Sequence, residues 1–509
     1  MSPPTVSQPY RVAVVGGGIA GLAAANRLLE LAAARGIPLA LTLLEARTRL
    51  GGTIATERTD GFIIESGPDS FISEKPWALD LCRRLGLGPA LVRTRDAYRR
   101  TFVVRDGALH PLPEGFLLLA PTRFWPLVVS PLFSWRGKLR MALDLVLPRG
   151  RPADDESLAS FVGRRLGREA LERVAQPLVG GIYTADPERL SLAATMPRFL
   201  EMERAHRSLI LGMLRQQTRR PDSAEVRDSP GRGCSAAAAG GTEESGARWS
   251  LFVSLDDGMQ RLVDTIAARL PRNAARLGVA VTAIAPGATA GAWRMALADG
   301  DAVDADAVVL ATPAHATARV MRDLDPAVAD ELAGIPYASS ATVTLAYRRA
   351  DIPHPLDGFG FVVPLIEERR IIACTFSSVK YPGRAPADTV LLRSFAGGAL
   401  QASMTALDDV ALAAAVREEL AVLLGVSAPP ILTRVHRHAD AMPQYHLGHL
   451  ARVAGIEQRL ARHAGLVLAG NAYRGVGIPD CVRSGEDAAE AVLAALTRTP
   501  MPPRRANDV

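Results

Sequence analysis

Lysine is nearly missing from this 509-residue chain: Lys75, Lys138 and Lys380 are the only three, so almost all of its 59 basic residues are arginine. Base composition explains that bias. Against 53 acidic residues the formal net charge is +6, which would suit an anionic lipid surface or an acidic substrate. No basic helix, zinc-ligand pattern or interleaved basic–aromatic stripe accompanies it, so nucleic acid is set aside. Cysteine is equally scarce. Cys82, Cys234, Cys374 and Cys481 are scattered without pairing or ligand spacing, which points to a reducing compartment. No apolar run reaches the length of a membrane span, and Met1 to Tyr10 lacks the hydrophobic stretch of a secretory leader. A cytoplasmic location is expected. Catalytic patterns are missing too: there is no Ser–His–Asp arrangement and no pair of acid carboxylates. Four histidines gather in HRHADAMPQYHLGH (His436, His438, His446, His449), read as a loop without a carboxylate or cysteine framework, so no metal is expected.

What is present is a large core. Hydrophobic residues make up 48% and charged residues 22%, which excludes disorder over most of the length. One domain per ~150 residues suggests about three domains or lobes. Val12 to Val15, Ile19 to Ala34 and Ala40 to Glu45 read as strand, helix, strand. Residues 76–196 read as mostly helical and hold an apolar, aromatic segment, Gly115 to Pro148, broken by Pro121, Pro126 and Pro131. The stretch 218–250 is of low complexity and reads as a disordered surface insertion. A β-rich block follows it, and Gly465 to Leu496 reads as strand, glycine-rich turn and helix.

The opening βαβ unit carries G-x-G-x-x-G at Gly16, Gly18 and Gly21. The first glycine permits a tight turn out of the strand. The second lets the backbone approach a pyrophosphate at the positive end of the helix, and the third allows helix and strand to pack closely. Glu45 ends the next strand, where a carboxylate holds ribose hydroxyls. The motif occurs once, so no second domain for NAD(P)H is expected.

Beyond Glu45 the chain reads E-x-R-x-R-x-G-G through Arg47, Arg49, Gly51 and Gly52, which resembles flavoproteins of the amine oxidase superfamily. LVLAGNAYRGVGIPDCVRSGEDAAEAV near the C-terminus resembles the FAD segment of the protoporphyrinogen oxidase family, whose bacterial members include coproporphyrinogen III oxidases. Also similar to that family are GPDSF (Gly67 to Phe71), GGIYTADPERLS (Gly180 to Ser191), DGMQRLVDTIAARL (Asp257 to Leu270), DGFGFVVP (Asp357 to Pro364) and MPQYHLGH (Met442 to His449). The blocks run in family order from residue 12 to residue 495.

The resemblance implies an α/β plus α architecture: a Rossmann-type FAD-binding domain, a β-rich substrate domain and a helical lobe. The implied division gives 1–78, 251–311 and 450–497 to FAD binding and 79–196 to a helical, membrane-facing lobe. It gives 197–217 and 312–449 to the substrate domain, with 218–250 inserted. Implied FAD contacts are Gly16, Gly17, Gly18, Ile19, Ala20, Gly21, Glu45, Ala46, Arg49 and Thr53. Further ones are Gly67, Pro68, Asp69, Ser70, Val281, Asn471, Val476, Gly477 and Ile478. Implied substrate contacts are Leu178 and Gly181 on one side of a cavity and Phe359, Gly360 and Val362 on the other. Where the family often places a propionate-binding arginine this chain has Thr101, with Arg99 and Arg100 just upstream, and Arg100 is the candidate anchor. The chain also departs at DDG before Met259 and at YTAD, Tyr183 to Asp186.

The implied activity is oxidation of a porphyrinogen to the porphyrin in haem biosynthesis, with oxygen or a quinone as acceptor. The flavin carries the chemistry, and no side chain is assigned a catalytic role. The rivals are an amine oxidase or carotenoid desaturase of the same fold, or a porphyrin-binding flavoprotein that is not an enzyme. Phe116, Phe124, Trp125, Phe133 and Trp135 lie among Arg123, Arg136, Lys138 and Arg140, which suits a lipid interface. Burial in the lobe or in a homodimer is the alternative.

Overall fold

The computed structural model describes residues 8–117, 120–121, 123–150, 155–218, 252–289 and 291–498. Nearly all of the low-complexity stretch 218–250, Cys234 included, lies outside them.

Five parallel strands form the first sheet, in the order Ala275–Leu277, Leu39–Glu45, Tyr10–Val15, Ala307–Leu310, Leu466–Leu468. Strands buried on both faces read as continuous apolar runs, and the period of two divides them between two cores. Val12, Val14 and Val309 face helices Ile19–Arg35 and Ile478–Arg498. Ala13, Val15 and Val308 face Met295, Val328 and Ile456 on the other side. The order reverses beside Tyr10–Val15, where one neighbour follows directly in sequence and the other arrives from residue 307. Clefts at such reversals bind ligands at the carboxyl ends of the strands. Gly16 to Gly21 occupies that end.

The second sheet has seven strands, in the order Leu432–Pro443, Tyr337–Arg348, Thr389–Gly397, Ala373–Phe376, Gly360–Val362, Thr101–Arg105, Ala108–Pro111. Its pairs are antiparallel except Gly360–Val362 with Thr101–Arg105, which run parallel in the register Gly360↔Thr101. Helix Asp409–Leu424 covers one face through Leu412, Val416 and Leu420. Asp408 caps that helix at Ala411 N–H, 2.8 Å, and Gly425 ends it at φ +73°. The stretch 76–196 is less helical than its composition predicts, because Leu91–Arg93 pairs with Phe252–Leu255 and Thr101–Arg105 enters the large sheet.

A helical lobe packs on the other face of that sheet, against Val103, Val362 and Ala373, around Phe161, Val174, Leu178 and Phe199. Its charged heart is sealed: Arg165 donates to Asp144 Oδ1 at 2.6 Å, and Asp144 Oδ2 accepts Ser208 Oγ and Ile210 N–H. Side chains in the segment Gly115 to Pro148 divide between inside and outside. Phe133, Leu127 and Leu132 are buried in the lobe, which corrects the expectation for Phe133. Arg140 is engaged by the carbonyls of Gly163, Arg164 and Arg165. Trp125, Val129, Trp135, Leu139 and Val146 remain exposed. The side chains of Phe116 and Phe124 lie outside the description. Among the described residues no helix is long and apolar enough to cross a membrane.

Candidate active site

The glycine fingerprint meets its steric requirements one by one. Gly16 has φ +108°, and a Cβ there would lie 2.7 Å from the Ala311 carbonyl oxygen. A Cβ on Gly21 would lie 1.9 Å from the Gly16 carbonyl oxygen. A Cβ on Gly18 would meet no protein atom within 4 Å, so this position opens onto free space. Helix Ile19–Arg35 begins there with no side-chain cap, leaving the first N–H groups of Ile19 and Ala20 directed out of the helix end. A glycine beside vacant space at an uncapped helix N-terminus fits a pyrophosphate.

Glu45 is buried and its two carboxylate oxygens accept Gly17 N–H at 2.6 Å and Arg47 N–H at 2.8 Å. Gly278 N–H and Val279 N–H reach the Arg47 and Glu45 carbonyls, which brings the strand of Val281 beside Glu45 and Ala46. Arg47 and Arg49 both donate to the Gly52 carbonyl and form no ion pair among the described residues. Burial and then the neighbouring Arg47 charge lower the Arg49 pKa. A pair of guanidiniums without an ion-pair partner among the described residues, beside Gly51, whose N–H bonds the Gly17 carbonyl at 2.8 Å, suits a doubly charged linker.

The segment from Thr53 to Ser70 doubles back on itself. A Cβ on Gly67 would stand 1.9 Å from the Thr53 carbonyl oxygen, so only glycine lets the strands lie this close. Beyond Pro68, Asp69 accepts Ser70 Oγ at 2.7 Å and Lys380 Nζ at 3.1 Å. Burial raises the Asp69 pKa, but Lys380 and Arg393 outweigh it and hold the carboxyl well below the usual range. Lys380 is the one lysine of the β-rich half, and it is taken up in this ion pair.

The C-terminal loop is held from the large sheet's last connection. Tyr445 Oη donates to the Asn471 carbonyl at 2.5 Å and accepts Gly475 N–H at 2.8 Å. Its ring stacks on His449 at 4.0 Å between centroids, and His449 Nε2 bonds the Tyr473 carbonyl at 2.9 Å. Lys75 Nζ bonds both oxygens of Asp480, in the first turn after Val476, Gly477 and Ile478. Gly485 of that helix packs where a Cβ would meet the Ala20 carbonyl oxygen at 2.1 Å, so the last helix lies tight on the fingerprint helix.

Val476 also packs against the cluster that contains Leu178 and Val362. Candidate flavin and substrate segments therefore meet. A π-type turn, Leu171–Ala175, leads into helix Gln176–Tyr183, which packs on strand Gly360–Val362. Leu178 and Val362 have their side chains in that shared core, and Phe359 is buried with its N–H on the Arg100 carbonyl at 2.8 Å. Gly181 is exposed, with open space where a Cβ would stand. Gly360 is glycine for another reason: at φ +141° a Cβ would lie 2.0 Å from the Cys374 carbonyl oxygen. Its requirement comes from the neighbouring strand and not from a flat ligand. Arg100 is exposed and pairs with Asp357 at 3.0 Å. Burial pushes the Tyr183 phenol up to about 12.

Three of the four histidines are not in a loop; His446 lies in the connection between strand and helix, bridged to Leu190. His436 and His438 lie on strand Leu432–Pro443, two residues apart and hence on one face; His449 opens a helix. Burial lowers the pKa of all four. Among the described residues no three metal-ligating side chains gather.

Residues 19–493 match the family of flavin containing amine oxidoreductases. The chain belongs to that family. Among curated relatives, a coproporphyrinogen III oxidase of Bacillus subtilis (strain 168) is 36% identical over 95% of this chain and 98% of its own length. A protoporphyrinogen oxidase of Homo sapiens is 33% identical over 95% of this chain and 98% of its own. The crystal structure of a candidate protoporphyrinogen oxidase from Exiguobacterium sp. 255-15 superimposes with a TM-score of 0.80 at 32% identity, covering 96% of this chain and 99% of that one.

Proposed function

We propose that this chain is the porphyrinogen oxidase its relatives' names describe, taking coproporphyrinogen III or protoporphyrinogen IX to the porphyrin in haem biosynthesis. The observation that carries the reading is identity of 36% to a coproporphyrinogen III oxidase over 95% of the chain. Bound FAD supplies the acceptor for each hydride equivalent. The protein's own work is to fix the two flavin loops, through Glu45, Tyr445 and His449, and to leave a face without side chain at Gly181. Arg100, with Asp357 as its exposed partner, is the candidate contact for a propionate. Three hydride equivalents and three protons leave the macrocycle; with oxygen as acceptor the balance is three hydrogen peroxide molecules per porphyrin, and a quinone would take the same six electrons.

The amine oxidase alternative is disfavoured by Lys380, whose ammonium is committed to Asp69. Side-by-side turnover of the two porphyrinogens, followed by porphyrin fluorescence, tests the reading. Fluorescence from at least one supports it, and none from either, with FAD bound, overturns it.

The cytoplasmic protein would also touch a membrane peripherally. Trp125, Val129, Trp135, Leu139 and Val146 form an exposed apolar run over two short helices, with Arg136 exposed and Lys138 stacked on Trp135 at 4.7 Å. Cosedimentation with anionic vesicles at low salt is expected. A protein that stays in the supernatant as a dimer would assign this surface to a second copy instead.

A further inference from the structure

One backbone carbonyl in the flavin-side segment receives an unusual number of donors. Three adjacent strands of the large sheet each send a side chain to Ser66 O: His438 Nε2 at 2.8 Å, Arg393 Nη2 at 3.1 Å and Thr342 Oγ1 at 3.2 Å. A carbonyl oxygen has two lone pairs, so three donors over-determine its direction. Since a carbonyl can only accept, the His438 ring carries its proton on Nε2. Arg393 also bonds the next carbonyl, that of Gly67. On the opposite side, Ser66 N–H and Oγ both reach the Ala55 carbonyl, at 2.9 and 3.1 Å. The Ser66 carbonyl is thus gripped by the large sheet, while the N–H and hydroxyl of the same residue are tied back to the chain at Ala55.

The grip is made of costly groups. Thr342 and Arg393 are buried, and Arg393 forms no ion pair among the described residues. Its Nε has no partner. Burial lowers the Arg393 pKa against the pull of Asp69 and Glu65. It lines a small enclosed space with Ile63, Thr344 and Tyr381. A fold that needed only stability would fill this place with apolar side chains.

We infer that Arg393, Thr342 and His438 are positioning residues for the flavin loop: the substrate-side sheet sets the direction of the Ser66–Gly67 peptide and thereby of Pro68, Asp69 and Ser70 beyond it. This rests on the flavin reading above. The clamp ties the sheet that carries Gly360 and Val362 to the loop that meets the cofactor.

Thr342→Val, His438→Phe, His438→Gln and Arg393→Lys test it on the holoprotein. Readouts are amide hydrogen exchange of the 66–70 peptide, the FAD dissociation constant, the visible spectrum of bound flavin and the melting temperature. Thr342→Val and His438→Phe should speed exchange at 66–70 and weaken FAD by about tenfold, the scale of one lost buried hydrogen bond. The flavin bands should shift while melting stays within a few degrees of wild type. His438→Gln, which keeps an N–H donor, should recover most of the FAD affinity. Arg393→Lys, which keeps the charge but not the fork, should not. Wild-type exchange, affinity and spectrum in both Thr342→Val and His438→Phe would overturn the clamp. If purified wild type bound no FAD, the flavin reading would fall instead, and exchange at 66–70 alone would decide whether the grip exists.

Discussion

Two arginines are buried in this protein in opposite ways. Arg165, in the helical lobe, finds a full set of partners: Asp144 at 2.6 Å, the Arg207 carbonyl at 2.7 Å and the Pro148 carbonyl at 2.8 Å. Arg393, under the flavin-side loop, has loop carbonyls, the Phe395 ring at 4.8 Å and an unpartnered Nε. Around it Thr344 Oγ1 has no hydrogen-bond partner among the described residues, and Arg384 Nη1 meets the Glu65 carboxylate only at 3.7 Å. A closed network answers to stability alone. Open valences beside a cofactor loop answer to placement, and buried unsatisfied groups call for such an explanation.

The largest effect should come from breaking the closed network. Asp144→Ala leaves buried Arg165 with only the more distant Glu203 carboxylate, at 3.6 Å, and should cost about 3–5 kcal/mol of stability. Chemical denaturation measures this, and FAD stoichiometry in the folded fraction should be unchanged. Next come the two kinds of glycine. Gly21→Ala, with its Cβ 1.9 Å from a backbone oxygen, should abolish folding of the fingerprint. Gly18→Val meets no protein atom near its Cβ and should yield a protein with a near-native melting curve that purifies colourless. A yellow, active Gly18→Val would remove the pyrophosphate from that end of the helix.

A second contrast separates Gly360 from Gly181. Gly360→Ala would set its Cβ 2.0 Å from the Cys374 carbonyl oxygen at φ +141° and should disrupt folding of the sheet there, as Gly21→Ala does at the fingerprint. Gly181→Leu should leave melting and FAD content intact while raising KM or removing turnover, read by porphyrin fluorescence. The smallest effect concerns acid. Asp69 titrates lower in the folded state than its unfolded value of about 4, so its contribution is present above that pH and fades as pH falls toward the folded value. Asp69→Asn should flatten the acid limb of the stability profile by losing stability at pH 7, where the carboxylate's contribution is fully present, and change little at the acid end.

How much of this was legible before the structure depended on distance along the chain. Gly16, Gly18, Gly21 and Glu45 act within one βαβ unit, where spacing alone carries the chemistry. The Ser66 clamp joins residues 276, 327 and 372 positions away, and no local pattern encodes such a meeting. One signal was there: His436 and His438 alternate in HRHADAMP, a period of two that marks one face of a strand, but its polar character reads as a loop. Gly360 was legible as a special position, yet its cause, the Cys374 carbonyl across the sheet, became visible only with the strand register. Phe133 and Arg140 looked interfacial for the same reason, since composition does not say which side of a short helix meets the lobe.

The most direct test of the account is stoichiometric. Purified, FAD-loaded protein given coproporphyrinogen III or protoporphyrinogen IX in air should form porphyrin and consume three oxygen molecules per macrocycle, with peroxide in equal number, and the colourless Gly18→Val protein should form none above background. Loaded protein that oxidises primary amines and leaves both porphyrinogens untouched would contradict it.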